Sequence, residues 1–159
     1  MDAYEFSKTR TLERYSFLWS EARLVIAAIA LFLGGVPVLR VILPIPGLYG
    51  FVGLILTLSW IISGVVSGYL LYRWMKSNKT LFGGKNQRDA VAFFVNIISG
   101  FNLGITGLFG RNIGMTISSN RVIFGAVAIL YLLVAVYLFR RWKESGRRIF
   151  FSADTIQNL

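Results

Sequence analysis

Asn96, Ser99, Asn102 and Thr106 stand on one side of an otherwise apolar stretch, interleaved with Gly100, Gly104, Gly107 and Gly110. At about 100° per residue the other side gathers Phe94, Ile97, Ile98, Phe101, Ile105, Leu108 and Phe109, so a helix here has one bulky face and one small, polar face. The chemistry open to amides and hydroxyls is hydrogen bonding. An unsatisfied polar group in hydrocarbon costs several kcal/mol, so this face must meet protein or water. Two arrangements satisfy it. In the first, the glycines form a close helix–helix seam with Asn, Ser and Thr bonding across it; an upstream stretch offers a matching stripe in Gly50, Gly53, Thr57, Gly64 and Gly68, with Gly64 and Gly68 at small-xxx-small spacing. In the second, Asn96, Ser99, Asn102 and Thr106 line a polar passage, with Arg40 and Arg111 as a positive outer mouth favouring anions. The seam is the favoured reading, and a passage is expected between protomers, because four helices leave little room for a pore.

The residues that are missing narrow the chemistry further. With no His and no Cys there is no disulfide, thiolate nucleophile, zinc finger or His–Ser relay. Glu21 and Asp89 are placed at span boundaries and no Asp or Glu inside a span, which disfavours proton-coupled transport, carboxylate-built sodium sites and intramembrane aspartyl proteolysis. No Lys falls within a span to serve a Ser–Lys pair. No catalytic residue, metal or cofactor is expected, and the chain reads as not an enzyme.

The elements that must hold these residues are membrane spans. The chain has 159 residues, 55% hydrophobic and 15% charged, richer in apolar and poorer in charged residues than a soluble domain. A bilayer core of about 30 Å needs roughly 20 apolar residues per helix, and four stretches qualify: 24–44, 48–72, 90–110 and 122–139. Pro37 lies inside the first, which membrane helices tolerate. Residues 1–23 balance acidic against basic side chains, unlike a cleavable signal peptide. Leu12, Tyr15, Leu18, Trp19 and Ala22 recur there at helical spacing, so this segment is expected as an amphipathic helix lying on the membrane surface or on a partner. The expected architecture is an all-α membrane protein: an amphipathic N-terminal segment (1–23), a four-helix transmembrane domain of two hairpins (24–139) and a basic cytoplasmic tail (140–159).

Charge sets the expected orientation. Basic residues crowd before the first span, between the second and third (Arg73, Lys76, Lys79, Lys85, Arg88) and after the fourth, whereas the opposite connections hold only Arg40, Arg111 and Arg121. Both termini are therefore expected on the cytoplasmic, or matrix-like, side. Arg140, Arg141, Trp142, Lys143, Arg147 and Arg148 interleave cations with an aromatic residue and are expected to contact headgroups of anionic lipids. The net charge of +10 is thus a topology signal, and no nucleic-acid partner is expected. A displacement of 68 residues lays Tyr69-Leu70-Leu71-Tyr72-Arg73-Trp74 over Tyr137-Leu138-Phe139-Arg140-Arg141-Trp142, Ser77 over Ser145 and Phe82 over Phe150, which hints at two parallel hairpins. The expected function is that of a structural or accessory subunit of a membrane complex, or of a homo-oligomer, assembled through the Gly/Ser/Asn faces. The alternative is an oligomeric channel or facilitator for a small polar or anionic solute.

Overall fold

A computed structural model describes residues 3–117 and 120–151, with side chains from residue 8 onward. The chain is all-helical apart from one isolated bridge, Leu81 with Gly84, among the described residues. Its order is α1 (Ala3–Phe32), a short α2 (Val38–Ile42), a 3-10 turn (Pro46–Leu48), α3 (Tyr49–Lys76), α4 (Gln87–Phe109), a short α5 (Ile113–Ile117) and α6 (Arg121–Glu144). Four of these segments are long and apolar enough to cross a membrane: Lys8–Phe32, Pro46–Lys76, Gln87–Phe109 and Arg121–Glu144. The chain has the makeup of a multi-pass integral membrane protein.

Local sequence explains the helix limits. Asn86 and Asn120 cap α4 and α6, their side-chain oxygens accepting from Arg88 N (2.9 Å) and Val122 N (2.8 Å). The largest departure from expectation is at the first span. Residues 3–32 form one unbroken helix, so the boundary expected at 23/24 falls inside it, and the helix stops well short of Pro44. Gly34 and Gly35 stop it with left-handed φ of 76° and 87°, and Gly35 N bonds Ala30 O while Gly34 N bonds Leu31 O, the paired bonds of a Schellman ending. The expected surface segment is thereby part of the span. Its faces are also inverted: Leu12, Tyr15, Trp19 and Ala22 are exposed, whereas Glu13, Ser16, Ser20, Glu21 and Arg23 are buried. The expectation of no carboxylate within a span is corrected by the same finding, because Glu13, Glu21 and Asp89 sit buried inside spanning helices where partners within the bundle replace water. Of the expected tail, residues 152–159 lie outside the described residues.

The two hairpins, α1–α3 and α4–α6, correspond in detail. α3 packs along α4 and α1 along α6, with the hairpins' own helices touching more lightly. The match at 68 residues extends to hydrogen bonds: Ser77 Oγ donates to Trp74 O (3.0 Å) and Ser145 Oγ to Trp142 O (2.9 Å), while Lys79 N and Arg147 N reach the same two carbonyls. The first helices of the hairpins match at a different displacement, 76 residues, which pairs Glu13 with Asp89, Phe17 with Phe93 and Ser20 with Asn96. Equivalent ring contacts occur in both halves, the Trp pairs across them and the Phe pairs within each. Trp74 packs on Phe93 (6.3 Å between ring centres, 35°) and Trp142 on Phe17 (5.6 Å, 38°); Phe150 packs on Phe93 (6.3 Å) and Phe82 on Phe17 (6.3 Å). The ion pairs repeat as well, Arg73 with Glu13 and Arg141 with Asp89. Reciprocity of this kind is the mark of a two-fold relation, here between two halves of one chain.

A cavity at the junction of the halves

The described residues build an aromatic core at the end that carries the termini, a polar layer above it, and a cavity above that. The core gathers Phe17, Phe82, Phe93, Trp142 and Phe150. The polar layer centres on Asn96, which is 1% exposed. Its amide nitrogen donates to Ser20 Oγ (3.0 Å) and to Glu21 Oε1 (2.9 Å), and its side-chain and main-chain oxygens both accept from Arg23 Nη2, the latter at 2.8 Å. Ser20 and Asn96 are two-fold counterparts, so the bond between them joins equivalent places in the two halves.

Arg23 has five N–H donors. The two on Nη2 are used by Asn96; Nε and Nη1 are buried and have no hydrogen-bond partner. Gly100 makes room for the group, since a Cβ there would lie 2.9 Å from Arg23 Nη1 and 1.8 Å from Ser67 Oγ. Arg23 lies nine residues before the end of α1, about 14 Å of helix rise, which is close to the middle of a hydrocarbon core about 30 Å thick. A charge at that depth is costly and by default functional.

The cavity holds about 610 Å³ and touches all four long helices and both short ones. Arg23 is the one charged residue among those that line it; Ser59, Ser63, Ser99, Asn102, Asn112 and Tyr131 add polar groups to a mostly aliphatic wall. Trp19 Nε1 donates to Ser63 Oγ (3.2 Å), bracing α1 against α3 beside Arg23. At the end away from the termini α2 and α5 cover it. Met115 of α5 fills the space a Cβ would take at Gly35, which ties α5 to the turn after α1.

The residues singled out from sequence divide between two tasks. Gly64 and Gly104 meet at the seam, where a Cβ on either would lie 2.8 Å from the other's Cα, and Gly107 packs on Ile61 and Thr57 O. Gly68 lies in ordinary contact distance of Phe101. Ser99 and Asn102 line the cavity, while Asn96 organises its floor. Asn102 also caps α5: its oxygen accepts from Ile113 N (2.9 Å) and its nitrogen donates to Asn112 Oδ1 (3.0 Å). Thr106 bonds back to Asn102 O (2.8 Å). The polar face of α4 therefore serves the seam on one edge and the cavity on the other, and the cavity lies within one chain.

The basic residues sort differently from expectation. Arg40 and Arg111 are exposed at the α2/α5 end. Trp142 is 3% exposed, held in the aromatic core rather than at headgroup level, and Arg141 is engaged with Asp89 through Nε and Nη2 (2.9 Å each), with Tyr137 OH on the same carboxylate at 2.6 Å. Arg140, Lys143, Arg147 and Arg148 are exposed. Arg10 and Arg14 of α1 join Arg147 and Arg148 around one small cleft.

Because 1–23 read as a surface helix, Ser20 and Arg23 went unassigned as site residues, Trp19 was placed on its apolar face and Glu21 at a span boundary. The signal that identifies them is the second displacement: an acid, Phe four residues on and a hydrogen-bonding residue three further occur as Glu13, Phe17, Ser20 and again as Asp89, Phe93, Asn96.

Fold and site together define a four-span membrane protein of two parallel helical hairpins, with a polar-floored cavity at their junction. The chain matches no protein-family model, no curated protein and no solved structure, so its own geometry carries the functional reading.

Proposed function

We propose that the chain is a non-catalytic membrane facilitator whose binding site for a small anionic solute is the cavity between its two hairpins. One observation carries this reading: a guanidinium near mid-bilayer, 6% exposed and with buried N–H donors that no protein group satisfies, belongs to the one charged residue lining a cavity of about 610 Å³. In low dielectric an anion on that group is held far more strongly than in water, and the volume suits a small organic ligand, for which pockets run about 300–1,000 Å³. Parallel repeats about an axis along the membrane normal are a known plan of transporters, with the substrate site near the midplane where repeats meet. The distribution of Lys and Arg supports a cytoplasmic side for both termini. The basic cleft of Arg10, Arg14, Arg147 and Arg148 then faces anionic lipid headgroups. An assembly role through the Gly/Ser/Asn faces has less support, because Gly64, Gly104 and Gly107 are occupied within the chain.

The test is uptake of radiolabelled organic anions of graded size by proteoliposomes of the purified chain. Uptake above protein-free vesicles is expected, falling at least tenfold in Arg23→Gln and less in Asn102→Leu, whose residue lines the wall but also caps α5. Uptake equal to that of protein-free vesicles, or untouched by Arg23→Gln in a folded variant, overturns the reading.

A further inference from the structure

The cavity's two ends differ in chemistry, and the difference specifies the shape of a ligand. At the floor stands Arg23, the one charged residue of the lining, whose Nε and Nη1 are buried just behind it without a partner. Across the two-fold relation its counterpart is Ser99, which also lines the cavity, so the scaffold that could have carried two cations carries one. A single guanidinium suits a head with a single negative charge. Above the floor the wall is aliphatic, which a small hydrated anion does not reward but a hydrocarbon tail does, at about 25 cal/mol per Å² of apolar surface buried.

The route of access also points to an amphiphile. Ile26 of α1, Ile42 of α2, Ile55 of α3 and Ile123 of α6 line the cavity while remaining 54%, 66%, 40% and 47% exposed. The lining therefore reaches the surface as an apolar rim. α1 and α3 are braced near the floor by Trp19 on Ser63. At the α2/α5 end Met115 is seated on Gly35. An entrance rimmed by isoleucines admits a molecule already dissolved in the bilayer.

We propose that the cavity takes a single-chain amphiphile with a carboxylate head, entering from the bilayer across this apolar rim, its carboxylate on Arg23 and its tail along the aliphatic wall. This rests on the anion-site reading above and names the ligand class for that site.

The experiment uses the full chain in nanodiscs of zwitterionic lipid, read by quenching of its tryptophan emission. Trp19 and Trp60 line the cavity, whereas Trp74 and Trp142 pack on aromatic rings elsewhere. The probes are 11-bromoundecanoate, its methyl ester and bromoacetate. Saturable quenching by 11-bromoundecanoate is expected, half-complete at a concentration at least tenfold below that of the ester. The saturable part should vanish when Trp19 and Trp60 are both replaced by Phe. Arg23→Gln should bring the acid to the level of the ester, and Arg23→Lys should fall between. If acid and ester quench alike in the unmodified chain, the head is not read and the amphiphile proposal is overturned with no mutant needed. If bromoacetate competes as well as the long acid, the tail is not read: the proposal falls while the anion site stands. If anion binding of every length survives Arg23→Gln, both readings fail together.

Discussion

The seam between α3 and α4 makes the sharpest quantitative demand on the chain. A Cβ added to Gly64 would lie 2.8 Å from Gly104 Cα, and one added to Gly104 would lie 2.8 Å from Gly64 Cα. Both obstacles are backbone, so no rotamer relieves them. Ordinary carbon–carbon contact is about 3.5–4.0 Å, so Gly64→Ala requires the helices to part by about 1 Å, a gap at which neighbouring contacts lose a quarter to a half of their attraction. Overpacking of this kind costs about 1–3 kcal/mol, a factor of about 5–150 in the folding equilibrium. Gly53 and Gly125 lie in the same class of spanning helix but would meet nothing within 4 Å. Alanine there gains helix preference, up to about 1 kcal/mol, without a clash. The expectation is therefore a difference in sign. The assay is reversible unfolding in mixed micelles titrated with dodecyl sulfate, followed by circular dichroism and tryptophan emission. Gly64→Ala should unfold at lower dodecyl sulfate than the unmodified chain, and Gly53→Ala and Gly125→Ala at equal or higher. The double variant Gly64→Ala/Gly104→Ala should cost less than the two singles added, because one separation of the helices relieves both clashes. Equal midpoints for Gly64→Ala and Gly53→Ala would refute the seam.

Two further outcomes follow from the charged groups. Asp89→Asn keeps the side chain's shape but strips Arg141 of a fully buried partner; breaking such a pair costs roughly 3–5 kcal/mol, and Arg141's 30% exposed side chain places the loss near the lower end. The same unfolding assay checks it, and a change within about 0.5 kcal/mol, the range of a bland surface substitution, would remove the pair from the account. A reporter fused to the C-terminus that is active only in the cytoplasm should be active, and activity of a periplasmic or lumenal reporter at that position would reverse the orientation.

What could be read without coordinates followed how each residue type signals. The α3–α4 seam was legible because glycine in an apolar run has few other uses: Gly64, Gly104 and Gly107 were singled out by spacing and all three make close contacts. The helices run on to Lys76 and Glu144, past the expected 72 and 139, but the likeness of the two endings was legible through four identities in six residues and a serine three residues beyond each Trp. The first helix was misread because hydropathy treats Glu13, Glu21 and Arg23 as debits for insertion, whereas groups from other helices offset part of each, Arg73 for Glu13 and Asn96 for one edge of the other two. Such offsetting depends on which helices become neighbours, and no single-segment pattern carries it. Trp142 failed for the same reason: aromatic–basic borders mark the interface on average, yet this ring packs at 5.6 Å on both Phe17 and Phe139. The cavity was the least legible feature. Its wall is ordinary aliphatic sequence, and only the packing of two helix pairs leaves the space open.

The two-fold relation explains why the site sits where it does. At the counterpart positions on α1 and α4 the halves agree near the terminal end, with acid, Phe and hydrogen-bonding residue in each, and the aromatic core there is correspondingly tight. One turn further on they part. Arg23 faces Ser99, Leu24 is matched by Gly100, and Ala28 by Gly104. At these three positions the α4 side chain is the smaller, whereas Phe101 and Leu103 exceed their counterparts Val25 and Ala27. Gly104 lets α3 close in, and Ser99 and Gly100 leave room for the single guanidinium of α1. Identical residues in both halves would have set two arginines against each other across the axis, or filled the space with two leucines. Divergence of the halves at these three positions thus supplies both the lone charge and the volume beside it. A site built in this way sits at the junction of the repeats and stays near mid-bilayer, the place where one unpartnered cation has the greatest hold on an anion.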